Sequence, residues 1–141
     1  MMKKKKITQQ EMSDVAQHII QQLPTHPIVT LSGPLGAGKT TLVQEILKEL
    51  GIKSPIISPT YNYVTVYKLE NGKTVYHFDL YRLSSEDEFI AAGFDEYLYQ
   101  PESFSFIEWP QVINEILEDR FVAVKLEHDA DDTRLVSVIL K

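Results

Sequence analysis

Residues Gly33-Pro34-Leu35-Gly36-Ala37-Gly38-Lys39-Thr40 match the pattern G-x-x-x-x-G-K-S/T at every defined position. The glycines let backbone N–H groups turn inward around phosphate oxygens, where a Cβ would collide. Lys39 brings a point charge to the outer phosphates of a triphosphate, and in such loops the hydroxyl at the position of Thr40 is a magnesium ligand. Hydrolysis or transfer needs more: a carboxylate that holds Mg2+, directly or through water, and a group that orients the attacking oxygen. Two acids end apolar runs, Asp79 after Val75-Tyr76-His77-Phe78 and Glu108 after Phe104-Ser105-Phe106-Ile107. If both runs are strands of one parallel core, both carboxylates reach the sheet edge that carries Thr40.

The flanking residues supply the elements that must position these groups. Ile28-Val29-Thr30-Leu31 reads as a strand leading into the loop. Leu42, Val43, Ile46, Leu47 and Leu50 form one side of a helix that follows it, with Gly51 placed to end that helix. Upstream, Thr8-Gln9-Gln10-Glu11 has the form of a capping box before a stripe of Met12, Val15, Ile19, Ile20 and Leu23, and Pro24 and Pro27 close this helix. Downstream, Tyr61–Lys68 and Lys73–Asp79 flank Asn71-Gly72, which predicts an antiparallel hairpin with a type I′ turn. Ser85-Glu86-Asp87-Glu88 starts a short helix that stops at Gly93, and Val112, Ile113, Ile116 and Leu117 mark another. Phe121–Leu126 and Leu135–Leu140 form a terminal hairpin around the acidic turn Asp129–Asp132. The predicted fold class is α/β: a three-layer domain like that of P-loop nucleoside triphosphatases, with a mixed sheet of parallel core and antiparallel hairpins. Residues 1–141 are expected to form a single domain.

Composition narrows the functional classes. The 141 residues are 43% hydrophobic and 24% charged, ordinary globular values. No apolar stretch reaches membrane-spanning length, so no membrane partner is expected. Lys3–Lys6 is not followed by an apolar segment, so it does not read as a signal peptide; a frayed, solvated tail is the simpler expectation, with an electrostatic arm as the alternative. Cysteine is absent, which fits a cytoplasmic protein and leaves no thiol metal site. The net charge of −6 argues against tight direct binding to nucleic acid, where phosphate neutralisation dominates affinity.

Four blocks together resemble the TsaE family, also called YjeE: Leu35–Thr41, Ser58-Pro59-Thr60-Tyr61, His77-Phe78-Asp79-Leu80-Tyr81-Arg82-Leu83, and Ile107-Glu108-Trp109-Pro110. The first block is common to very many nucleotide hydrolases, and the other three, in this order and spacing, are specific to the family. Pro34 departs from it, standing where the family usually has an acidic residue. The resemblance implies ATP and Mg2+ as cofactors, with Lys39 on the β- and γ-phosphates and Thr40 and Glu108 as metal ligands. Gly36, Ala37, Gly38 and Thr41 would line the phosphates, and Thr60 would sense the γ-phosphate from a switch-like segment. Asp79 would position or activate water, or hold the metal through a water. Thr8 and Arg134 are the candidates for an adenine pocket built near both chain ends. The implied function is that of an ATP-hydrolysing accessory subunit for threonylcarbamoyladenosine modification of tRNA, next to the anticodon. It would act with a TsaB–TsaD heterodimer and touch tRNA at most indirectly.

Three residues keep a second reading. His77, alternating with apolar residues, reads as a structural histidine rather than a catalyst. Arg82 contacts a phosphate or a partner, or pairs with Glu86. Trp109, the single tryptophan, anchors an interface or belongs to the core. The rival function is a small-molecule kinase on the same loop. It needs a phosphate-crowding lid, yet the chain has three arginines, Arg82, Arg120 and Arg134. A GTP-driven switch lacks the guanine-specifying N-K-x-D pattern. A non-catalytic nucleotide sensor would bind without turnover.

Overall fold

The computed structural model describes residues 2–52, 63–118, 120–130 and 132–141, with side chains from residue 5 onward. Seven strands form one mixed sheet: β1 (Met2–Ile7), β2 (Ile28–Ser32), β3 (Val64–Lys68), β4 (Thr74–Asp79), β5 (Ser103–Glu108), β6 (Phe121–His128) and β7 (Arg134–Leu140). Their order is β1-β7-β6-β2-β5-β4-β3. The four inner strands β6, β2, β5 and β4 run parallel, and the antiparallel pairs β3–β4, β6–β7 and β1–β7 extend them. Burial on both faces explains why β5 is buried at all six of its positions, as a central parallel strand requires.

Helices α1 (Met12–Gln22) and α2 (Lys39–Glu49) cover one face. Their Val15, Ile19, Leu42 and Ile46 pack with Val29, Leu31, Phe106 and Val124 of the sheet. The short α3 (Glu86–Ala91) and the 3-10 segments Phe94–Tyr97 and Pro110–Ile116 cover the other face, where Phe78 and Ile107 meet Phe89 and Ile113. Each helix boundary has a local cause. Glu11 accepts hydrogen bonds from the Thr8 amide and hydroxyl, both at 3.1 Å, ahead of α1. The Ser85 hydroxyl accepts from the Glu88 amide at 3.2 Å to start α3. Gly51, at φ 96°, ends α2 as its amide and that of Ile52 return to the Lys48 and Leu47 carbonyls.

Two expectations fail here. The lysine run is not a frayed tail: it forms β1, an edge strand paired with β7. Lysine is depleted in strands, but at a sheet edge its charge protects the open backbone, so tertiary pairing overrides propensity. The β3–β4 turn is not type I′ either. Gly72 is at φ 88°, whereas Asn71 does not adopt positive φ, and its side chain instead accepts from the Lys73 amide at 3.0 Å. The five-residue connection Leu69–Lys73 relieves the demand for two left-handed residues.

Candidate functional site

The segment 33–38 leaves the C-terminal end of β2 and enters α2, at the edge where ligands collect in parallel sheets. Gly33, at φ 149°, lies so close to β6 that an added Cβ would stand 2.2 Å from the Leu126 carbonyl oxygen. Gly38, at φ 104°, caps α2 in a conformation that side chains rarely adopt. The β6–β7 hairpin braces the loop from behind. Arg134 Nε donates to the Ala37 carbonyl at 3.2 Å, and the His128 ring lies 3.4 Å from the Leu35 carbonyl. The α2 N-terminus, with its unpaired amides and positive dipole end, therefore faces the cavity from a loop fixed on both sides.

Lys39 is 5% exposed. Its ammonium donates to the Gly33 carbonyl and, at 3.1 Å, to the Pro34 carbonyl, and lies 3.8 Å from the centroid of the Trp109 ring. Burial lowers its pKa from the ordinary lysine value, while the Glu108 and Asp79 carboxylates draw it back up. Trp109 holds this position with a left-handed backbone, φ 57° and ψ 60°, its amide donating to Leu31 at 3.3 Å and its ring 4.8 Å from that of Tyr81. Such a conformation is costly for a bulky residue and persists only where the surroundings fix it.

Asp79 and Glu108 sit opposite each other where β4 and β5 end. The Thr40 hydroxyl lies 2.8 Å from Glu108 Oε1 and 3.1 Å from Oε2. Glu108 Oε2 also receives His77 Nε2 at 2.5 Å. Asp79 is half-buried, with Oδ1 accepting from the Tyr81 amide at 3.0 Å. Burial pushes its carboxyl above the usual aspartate range; the Tyr81 amide opposes that shift, the Glu108 charge adds to it, and His77 and Lys39 oppose it.

Gly36, Ala37, Gly38, Lys39, Thr40, Thr41, Asp79, Glu108 and Arg134 all line one cavity of about 530 Å3, within the usual size of small-molecule sites. Thr8 does not line it; its backbone and hydroxyl are taken by Glu11. Gln9, which opens the 3-10 turn Gln9–Glu11, and Met12, which follows it, stand there instead. Asp132, Leu35 and Trp109 complete the lining. Thr60 lies outside the described residues. Arg82 is exposed and is not part of the lining. Sequence reading took Gln9, Met12 and Asp132 as parts of a cap, a core stripe and a turn and so missed them as lining residues, and it missed the His128 brace, because each reaches the loop only through the fold.

Among the described residues no group of three or more His, Cys, Asp or Glu side chains forms a metal cage. Magnesium rarely uses one: it takes one or two protein oxygens and fills the rest of an octahedron with phosphate oxygens and water. Here the Thr40 hydroxyl donates to both Glu108 oxygens, so two hard oxygen donors already stand side by side, a donor type that suits Mg2+ and not a soft metal.

The family model described as "Threonylcarbamoyl adenosine biosynthesis protein TsaE" matches residues 7–136. A tRNA threonylcarbamoyladenosine biosynthesis protein TsaE of Rickettsia felis is 40% identical over 132 residues, covering 93% of this chain and 75% of that protein. The protein of the same name from Haemophilus influenzae is 38% identical over 112 residues, covering 79% of this chain and 69% of its own. The crystal structure of Bacillus subtilis YdiB superposes with a TM-score of 0.71 at 27% identity, over 98% of this chain and 86% of that one.

Proposed function

We propose that this chain, which belongs to the TsaE family, is a magnesium-dependent ATPase that serves the threonylcarbamoyladenosine modification of tRNA as an accessory subunit. The observation that carries the reading is the meeting of Thr40 and Glu108, 68 residues apart in sequence, beside the Lys39 ammonium in one cavity.

Each residue then has a task. Lys39 holds the outer phosphates, exchanging its loop carbonyls and the Trp109 ring for charged oxygens. The α2 N-terminus and the glycine-permitted backbone of residues 36–38 receive the phosphate oxygens. Thr40 and Glu108 hold Mg2+, which when bound neutralises charge on the phosphates. Asp79, at the same edge and with a raised carboxyl, accepts a hydrogen bond from the attacking water or its proton. Gln9, Met12, Asp132 and Arg134, which also line the cavity, would receive the nucleoside.

A small site of this kind suits a nucleotide-driven conformational step better than chemistry on a base. The partners proposed are proteins like TsaB and TsaD, with ATP turnover resetting their assembly between modification cycles. Steady-state hydrolysis by the chain alone, and with these partners, tests the reading. Turnover without an added acceptor, with a rate or nucleotide affinity that changes when partners are added, supports it. If partners alter neither quantity, the accessory role fails. Phosphate transfer only in the presence of a small-molecule acceptor would establish the kinase reading instead.

A further inference from the structure

His77 lies on β4 two residues before Asp79, so both side chains leave the sheet on the same face. That face is the one covered by α2, since His77 is paired with Phe106, and Phe106 packs with the α2 side chains. The histidine is fully buried. Its Nε2 reaches diagonally past Phe106 to Glu108 Oε2 at 2.5 Å, while Nδ1 has no hydrogen-bond partner among the described residues. An ionised carboxylate accepts but does not donate, so with Glu108 charged Nε2 is the donor of this bond. A histidine kept only for packing gains nothing from placing one nitrogen on a carboxylate that lines a ligand cavity while the other has no partner among the described residues. An apolar residue of similar size would fill the same space without burying two polar nitrogens.

We infer that His77 is a positioning residue for Glu108, and that it sets the affinity of the site for its divalent cation. The carboxylate is held at two points: His77 fixes Oε2, and Thr40 faces both oxygens. With Oε2 tethered, the carboxylate plane cannot rotate, and Oε1 stays presented beside the Thr40 hydroxyl. Partners that orient a ligating group from behind typically carry about 10- to 100-fold of metal affinity or activity. The inference rests on the proposed reading of the Thr40–Glu108 site.

The test is Mn2+ binding to the full chain in the presence of a non-hydrolysable ATP analogue, followed by the electron paramagnetic resonance signal of free Mn2+. His77→Leu is expected to weaken Mn2+ binding about 10- to 100-fold, while affinity for the analogue in EDTA stays unchanged. His77→Gln, whose amide nitrogen reaches the position of Nε2, is expected to recover most of the loss. Equal Mn2+ affinity in wild type and His77→Leu overturns the inference alone, as does a Gln variant no better than the Leu variant. Failure of the wild type to hold Mn2+ with the analogue overturns the metal-site reading as well. Nitrogen NMR of 15N-histidine-labelled wild type needs no variant to fold: a proton on Nε2 of His77 supports the tether, and one on Nδ1 alone removes it.

Discussion

Lys39 and Asp79 show how burial prepares single groups for charge. The Lys39 ammonium is nearly out of water and donates to two loop carbonyls, neutral acceptors that the charged oxygens of the proposed nucleotide would displace. Lys39→Ala is expected to weaken ATP binding about 10- to 100-fold, the equivalent of roughly 1.5–3 kcal/mol for a hydrogen bond to a charged group; isothermal calorimetry measures it. Asp79 is the opposite case. Its raised carboxyl means that ionising it costs folding free energy, so its contribution to stability is greatest in acid and is lost as pH rises through the shifted value. Asp79→Asn keeps the shape and the oxygen that accepts from the Tyr81 amide. The variant is therefore expected to melt higher than wild type at neutral pH, with the gain vanishing in acid. Turnover should fall about 100-fold or more if Asp79 is the base, with nucleotide affinity little changed. Equal losses of both would make it a metal holder.

At the scale of elements, the glycine loop acts as a graft between β2 and α2 seated on β6. Gly33→Ala puts a Cβ against the Leu126 carbonyl at a φ that disfavours any side chain. A loss of about 1–3 kcal/mol is expected, read as a lower denaturation midpoint. Much of this arrangement was legible beforehand. The loop has a spaced pattern, α2 has a helical apolar stripe, and Asp79 and Glu108 each end a strand-like run, so their parallel pairing follows from the loop's position. What was not legible depends on partners distant in sequence. The value of β1 as a strand lies in β7, more than a hundred residues on. His77 earns its role through a residue 31 positions away, and no periodicity distinguishes it from the core side chains beside it. Thr8 carried a recognisable cap signal that proved purely local, while its neighbour Gln9 reached the cavity. The Asn-Gly pair signalled a turn correctly and misassigned its type, because loop length was not fixed by those two residues.

For the whole molecule, the parallel core gathers groups from the loop after β2, from the ends of β4 and β5 and from α2 at one sheet edge, while the antiparallel additions widen the sheet on both sides. Among the described residues no helix is long and apolar enough to cross a membrane. The hairpin that joins core strand β6 to β7 does more than widen the sheet. Leu126 abuts Gly33, His128 sits beside the Leu35 carbonyl, and Arg134 bonds that of Ala37. A loop shouldered in this way cannot stiffen by itself. When magnesium and ATP are added, amide deuterium uptake should slow in residues 126–136 as well as in 33–41, although most of that hairpin never meets the ligand. Uptake confined to the loop would mean that the two segments breathe separately.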